Sequence, residues 1–322
     1  MTTAGLRIGI IGWGPAARDH AGRLGAVAGV TLVGCVDAGP DPDAALALSQ
    51  SLTTPAGPLP VFADPAELIR LATPDALAIF APHPAHYRPA MDALQAGCHV
   101  WLDRPSSTGV QEAADIEGLA RARGLKIGVG RTYRLLPALI ATRDRLAGGA
   151  LGPVRAITAR LTGPASGPDG DLPLDRLGDL VDALIWTTGR PAVAVSALGA
   201  DAPATVGDPG VGPMVASIRL AGDILVTIAV AESGPAPSFE VVYYGEKGWL
   251  RGSESRLIEE PSGQPSRDVP LPARAGGVAE NFVATITSGD PPCCPPEQWL
   301  DTVRLLEAIA RSAAIGQVVR LA

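Results

Sequence analysis

The chain has 322 residues, of which 47% are hydrophobic and only 18% charged, and its formal net charge is −7. That length exceeds one small core and suits two domains; the acidic balance excludes a basic face able to neutralise nucleic-acid phosphates. No apolar stretch reaches the roughly 20 residues of a membrane-spanning helix, and Arg7 followed by a glycine-rich stretch stands where a signal peptide needs an apolar core, so the expected location is cytoplasmic with no membrane or nucleic-acid partner.

Strand-like runs at 6–11, 31–36, 76–81, 99–102 and 126–129 alternate with helical patterns at 20–28, 44–51, 66–71, 88–96 and 110–123. Near-continuous apolar strands separated by helices predict βαβ units over a parallel sheet covered on both faces. Asp64 and Ser107 or Thr108 are placed as helix caps. After a bridging helix at 136–146 the period changes: 154–161, 193–198, 214–220, 224–231 and 239–244 alternate apolar and polar residues, which predicts an antiparallel sheet with one solvated face. The stretches 163–173 and 201–213 read as loops, and the turn residues 290–296 precede a helix running to about 315. Cys35, Cys98, Cys293 and Cys294 lack metal-ligand spacing and the adjacent pair is badly placed for a disulfide, so reduced thiols and no metal are expected.

Gly12-Trp13-Gly14-Pro15-Ala16-Ala17 follows directly on the first strand and opens a helix. This is the context a dinucleotide fingerprint requires: Gly12 for a tight turn, Gly14 for close approach to a pyrophosphate, and Ala17 small enough for helix–strand packing. Pro15 suits the first helical turn, and the free N–H groups there, with the helix dipole, favour a diphosphate. Asp37 ends the second strand about 20 residues further on, where a carboxylate accepts from ribose hydroxyls and repels a 2′-phosphate. No arginine follows it closely, so NAD is expected rather than NADP. The first half therefore reads as a Rossmann dinucleotide-binding domain.

Further along, in order, come Pro82-His83-Pro84-Ala85-His86, Leu94-Gln95-Ala96-Gly97-Cys98-His99-Val100, Asp103-Arg104-Pro105, Tyr133-Arg134, Gly149-Ala150-Leu151-Gly152 and, on a late strand, Gly245-Glu246-Lys247-Gly248. With the fingerprint, this series resembles the Gfo/Idh/MocA oxidoreductase family over nearly the whole chain. The resemblance implies an α/β fold: an N-terminal Rossmann NAD-binding domain over 1–131, then an α/β domain over 132–322 with a large open, mainly antiparallel sheet that binds substrate and forms homodimers or homotetramers. It implies cofactor contacts from Pro82, His83, His86, Asp103 and Arg104 beside Gly12, Trp13, Gly14, Pro15, Ala16 and Asp37.

Family members typically carry Glu-Lys-Pro where this chain has Asp103-Arg104-Pro105, their lysine holding the nicotinamide and the reacting oxygen. The family's helical Asp-x-x-x-His-x-x-Asp aligns with Asp175 to Asp182, which puts Asp179 where the catalytic histidine usually stands. A guanidinium stays protonated near neutrality, so Arg104 can hold an anion but cannot shuttle a proton. Arginine supplies almost all the positive charge, Lys126 and Lys247 being the only lysines, so the replacement also fits a genome-wide arginine bias.

Alcohol oxidation needs a base as hydride leaves, and the reverse step needs an acid. Asp179, His86 and Tyr133 are the candidates, with Arg104 beside the reacting oxygen. At helical spacing from Asp175 and Asp182, Asp179 would be favoured as a proton carrier by like-charge repulsion; alternatively it pairs with Arg104 as a salt bridge, while Asp175 and Asp182 are a cap and a surface charge rather than substrate contacts. His86 equally suits packing or capping at a helix start, Tyr133 suits packing, and Arg134 either meets an anionic substrate group or sits in an ion pair.

Two functions follow. One is NAD-dependent hydride transfer to or from a small polar substrate, such as a sugar, a cyclitol or a biosynthetic carbonyl or imine intermediate. The other is a redox-inactive NAD-binding protein, acting as a non-redox cyclase or isomerase or as a ligand-sensing regulator.

Overall fold

The computed structural model describes residues 5–12, 15–36, 53–54, 57–80, 85–103, 109–164, 173–199, 213–234, 236–274 and 276–321. The chain separates into two compact units, the first of residues 1–130 with 276–297, the second of 131–275 with 298–322.

In the first unit, strand β1 (Leu6–Ile11) leads into helix α1 (Pro15–Ala26) and strand β2 (Val30–Val36). A two-residue hairpin, β3 (Thr53–Thr54) and β4 (Gly57–Pro58), precedes β5 (Val61–Phe62), α2 (Pro65–Ala72), β6 (Ala76–Ile79), α3 (Tyr87–Gln95), β7 (His99–Leu102), α4 (Val110–Arg123) and β8 (Ile127–Val129). The six main strands form one sheet in the order β5-β2-β1-β6-β7-β8, every neighbouring pair parallel. Ile8, Ile10, Leu77, Ile79, Val100 and Leu102 are inaccessible or nearly so, as strands covered on both faces require. Because β2 lies on one side of β1 and β6 on the other, the strand order reverses beside β1, which is where open α/β sheets leave a crevice at their carboxyl ends. Asp64 caps α2 by accepting from the Glu67 amide at 2.8 Å. Helix α4 is capped at Gly109 with no side-chain bond, and Ser107, Thr108 and the expected helix at 44–51 lie outside the described residues.

Helix α7 (Val278–Thr287) packs on this unit rather than on the second one, to which the 132–322 boundary had assigned it. The reason is steric: Phe282 fills the space beside Gly128, where a Cβ would lie 2.5 Å from its ring, and reaches Trp101 at a centroid distance of 5.8 Å. A single aromatic side chain on a short helix leaves little periodic trace in the sequence.

The second unit opens with a 3₁₀ turn, Thr132–Leu135, and helix α5 (Pro137–Ala147). Its sheet comprises β9 (Val154–Gly163), β10 (Ala192–Gly199), β11 (Met214–Leu220), β12 (Ile224–Glu232), β13 (Ser238–Gly245), β14 (Gly248–Gly252), β15 (Leu257–Pro261), β16 (Arg267–Asp268) and β17 (Val319–Arg320), in the order β16-β15-β14-β13-β9-β12-β11-β10-β17. All neighbours are antiparallel except β9 and β12. Gly245-Glu246-Lys247-Gly248, expected within a strand, is the tight turn between β13 and β14, where Gly245 and Gly248 face each other. Helix α6 (Pro173–Thr188) and helix α8 (Pro296–Ile315) contribute Leu177, Leu180, Leu184, Leu305 and Ile309 to the core with Ile157, Val226 and Val241 of the sheet. Among the described residues, no helix is long and apolar enough to cross a membrane.

Candidate active site

In the first unit the site begins at the end of β1. Gly12 has φ +88°, a left-handed conformation that a side chain would strain, and its N–H donates to Val36 O at 3.0 Å. Helix α1 starts at Pro15, so the chain turns from strand to helix within three residues beside the sheet's reversal point. Such a turn presents first-turn N–H groups and the positive end of a helix dipole, a fit for a pyrophosphate. Trp13, Gly14, Asp37, Pro82, His83 and Arg104 lie outside the described residues, as do the side chains of Pro15 and Ala16.

Asp103 follows β7 and has His20 of α1 beside it, Nε2 to Oδ2 3.7 Å. His20 is stacked on Phe80 at 5.2 Å and meets the edge of Trp101 at 5.6 Å. A Cβ on Gly130 would lie 2.8 Å from Asp103 Oδ1, so only glycine leaves this carboxylate its place. His86 precedes α3, is 1% exposed, and makes no side-chain cap bond, while its carbonyl accepts from Ala90 N. Of the two structural readings for His86, the buried ring fits packing and not side-chain capping.

In the second unit two arginines three residues apart meet two aspartates three residues apart. Arg131 precedes and Arg134 lies within a 3₁₀ turn, in which residues i and i+3 eclipse, and Asp179 and Asp182 lie on one face of α6. The matched spacing makes two pairs in register. Arg134 grips Asp182 bidentately, Nε to Oδ2 at 2.7 Å and Nη2 to Oδ1 at 2.8 Å, and its Nη1 donates to Gln298 Oε1 at 2.5 Å; Thr302 adds a bond to Asp182 Oδ1 at 2.9 Å. Arg131 donates to Asp179 Oδ1 at 3.4 Å and Thr132 to Oδ2 at 3.3 Å, while Arg131 Nε, buried, has no hydrogen-bond partner among the described residues. Asp179 and Asp182 are both 0% exposed.

Of the readings left open for these residues, Arg134 sits in an ion pair, and Asp182 is buried in it rather than a surface charge. Like-charge repulsion between Asp179 and Asp182 is offset because each carboxylate has its own guanidinium. The described ion-pair partner of Asp179 is Arg131; Arg104, the expected one, and the Asp175 side chain are outside the described residues. Arg131 itself carried no expected role, although the Arg-x-x-Arg spacing set against Asp-x-x-Asp was the signal for it. Gly178 completes the arrangement: a Cβ there would sit 3.0 Å from Arg131 Nη1. Tyr133 packs against Phe239, ring centroids 4.5 Å apart. Among the described residues no cluster of His, Cys, Asp or Glu could hold a metal ion.

Residues 6–131 match the model of an oxidoreductase family with an NAD-binding Rossmann fold. D-glucoside 3-dehydrogenase of Escherichia coli is 28% identical over 205 residues, 60% of this chain and 57% of that protein. UDP-N-acetylglucosamine 3-dehydrogenase of Acidithiobacillus ferrooxidans is 29% identical over 196 residues, covering 60% of this chain and 58% of its own. The chain thus spans less than two thirds of these relatives' length. Inositol 2-dehydrogenase of Acidothermus cellulolyticus is 26% identical over 275 residues, 83% of this chain and 79% of that protein. A solved structure of the Acidithiobacillus ferrooxidans enzyme shares the fold at a TM-score of 0.80 and 22% identity, over 98% of this chain and 100% of the other.

Proposed function

We propose that this chain, which belongs through residues 6–131 to the Gfo/Idh/MocA family of oxidoreductases with an NAD-binding Rossmann fold, is an NAD-dependent dehydrogenase of a ring alcohol in a sugar or cyclitol. The observation that carries the reading is the Gly12 turn, left-handed and bonded to Val36 at the sheet's reversal point, where it suits a coenzyme diphosphate. The relatives' names supply the substrate class: a glucoside, a UDP-linked N-acetylglucosamine and an inositol are all polyhydroxylated rings. Asp37 supports NAD over NADP, since a carboxylate repels a 2′-phosphate.

When bound, the nicotinamide coenzyme supplies the hydride acceptor. The chain supplies the proton acceptor, and Asp179 is the better suited of the two α6 carboxylates. Both oxygens of Asp182 accept bonds of 2.9 Å or less, whereas the bonds that Arg131 and Thr132 donate to Asp179 are longer, 3.4 and 3.3 Å, and a carboxylate held by longer bonds yields more readily to a substrate hydroxyl. Arg131 acts as a positioning residue that holds this carboxylate. The second reading, a protein that binds NAD without redox turnover, is favoured by the complete burial of Asp179.

Two measurements separate them. Calorimetric titration with NAD and NADP tests the coenzyme site, with NAD expected to bind more tightly. NADH formation is then followed with glucosides, UDP-N-acetylglucosamine and inositols. Turnover of one of them, lowered about 100-fold or more in kcat by Asp179→Asn with coenzyme affinity unchanged, supports the dehydrogenase with Asp179 as base. Tight NAD binding without turnover of any supports the second reading.

The solvated face of the nine-stranded sheet presents Leu198, Val215, Leu225 and Tyr244, which are 65%, 53%, 60% and 41% exposed. Leu198 lies beside Val215, and Leu225 and Tyr244 lie on either side of Ala156 two rows away; apolar side chains so exposed on an open sheet suit association with a second copy, and a homodimer or homotetramer through this face is part of the proposal.

A further inference from the structure

We propose that the second unit carries an oxyanion-binding cleft, separate from the Arg131–Asp179 and Arg134–Asp182 pairs, that takes a phosphate-bearing small molecule. A cleft of about 710 Å³ lies among the C-terminal ends of α5 and α6, the start of β9 and the first turns of α8. Arg143, Arg155 and Arg190 line it against one carboxylate, Asp301. In a chain of net charge −7 this is a local concentration of positive charge.

What marks the cleft as a receptor is the state of its donors. Asp301 is held by Arg304 at 3.0 Å and Arg155 by Glu246 at 2.6 Å. The guanidinium groups of Arg143 and Arg190 have no hydrogen-bond or ion-pair partner among the described residues. Arg143 is instead laid over the Trp186 ring, 4.8 Å from its centroid, which holds its fork in place. Gln298, also in the lining, has its Oε1 filled by Arg134, so the carboxamide is turned and its Nε2 is left as a donor with no acceptor among the described residues.

A basic residue at a helix C-terminus is commonly there for the exposed carbonyls. Here many of those carbonyls are taken by the chain itself: Asp144 O by Gly148, Leu146 O by Gly149, Arg145 O by Ala150 and Ile185 O by Gly189, with Leu184 O accepting from Thr188 Oγ1. Two guanidinium forks and an amide N–H₂ therefore line one cleft with no acceptor of their own among the described residues, and a tetrahedral oxyanion is the ligand chemistry that such donors suit. The proposal rests on the second unit alone and stands or falls independently of coenzyme binding.

The test uses the full chain, with inorganic phosphate and pyrophosphate as probes in calorimetric titrations. Wild-type protein is expected to bind with an affinity that weakens as salt rises. Arg143→Gln with Arg190→Gln is expected to lower that affinity about 100-fold, on the basis of about tenfold per charge-assisted contact. Gln298→Leu lowers it several-fold, and Arg256→Gln, outside the cleft, leaves it unchanged. Arg143 and Arg190 are exposed, so circular dichroism melts should coincide with wild type. Unchanged affinity in the double variant places any bound phosphate elsewhere and overturns the proposal, as does an absence of binding by the wild type.

Discussion

At Arg134 a guanidinium that is 3% exposed closes on a carboxylate with no exposure at all, and the pair is completed by Gln298 and Thr302. Removing one partner of such a pair strands the other charge in the core. Arg134→Ala is therefore expected to destabilise the protein by about 3–5 kcal/mol, read as a lowered midpoint of urea unfolding. Replacing both partners by apolar residues of similar size, Arg134→Met with Asp182→Leu, should recover most of the loss; a double variant as unstable as the single would show that the two do not act as a pair. Gly178→Ala addresses the neighbouring pair. An exposed helical Gly→Ala change ordinarily stabilises by about 1 kcal/mol, but here the added methyl meets Arg131 at 3.0 Å, so lowered kcat and no gain in stability are expected. The residue types of this site were legible in the sequence, and Asp179, Asp182 and Arg134 were singled out from it. Their pairing was not, because a sequence does not show that a turn at 131–134 and a helix at 173–188 share a three-residue register.

Elements were legible where their pattern is local. Leu6–Ile11, His99–Leu102, Met214–Leu220 and Val110–Arg123 fall where periodicity places them. The strand expected at 76–81 stops at Ile79, and Phe80 N still bonds back to Ile11 O beyond it. Strands β14 to β17 are two to five residues long, too short for alternation to register, and the parallel pairing of β9 with β12 joins segments some 70 residues apart in sequence, a contact no local signal carries. The β7–β8 neighbourhood has a measurable consequence. His99 Nδ1 accepts from Lys126 N at 2.9 Å, and burial, with the Lys126 charge second, holds the imidazole below its usual 6.5, against a smaller opposing effect of Asp75. Above pH 6.5 both folded and unfolded states carry a neutral ring, so the contribution to stability is complete. As pH falls below 6.5 the unfolded chain takes up the proton first and stability declines until the folded ring protonates as well. A nuclear magnetic resonance titration should give His99 a midpoint below that of an unfolded peptide, and His99→Gln should flatten this part of the stability–pH curve. A midpoint at or above 6.5 would contradict the account.

At the scale of the molecule, the sequence separated a cofactor half from a half with a one-sided sheet, because periodicity changes after residue 130. It did not show that the chain returns to the first unit at 276–297, since that return rests on long-range packing of the buried face of α7, Phe282 against Gly128 and Trp101 included, which no local pattern carries. The exposed apolar residues on the nine-stranded sheet predict self-association: Leu225→Asp with Val215→Asp should shift light-scattering mass toward a single chain with melting behaviour retained, and a wild type that is already monomeric would exclude the interface. The central claim is that a coenzyme seated at the Gly12 turn receives hydride from a ring alcohol. Its most direct measurement is isotope transfer: protein, NAD, and glucosides, UDP-N-acetylglucosamine or inositols deuterated at their ring carbinol carbons, followed by mass analysis of the coenzyme. The account predicts NADH carrying one deuterium from at least one of these substrates. NAD that binds and is recovered unchanged from all of them would contradict it.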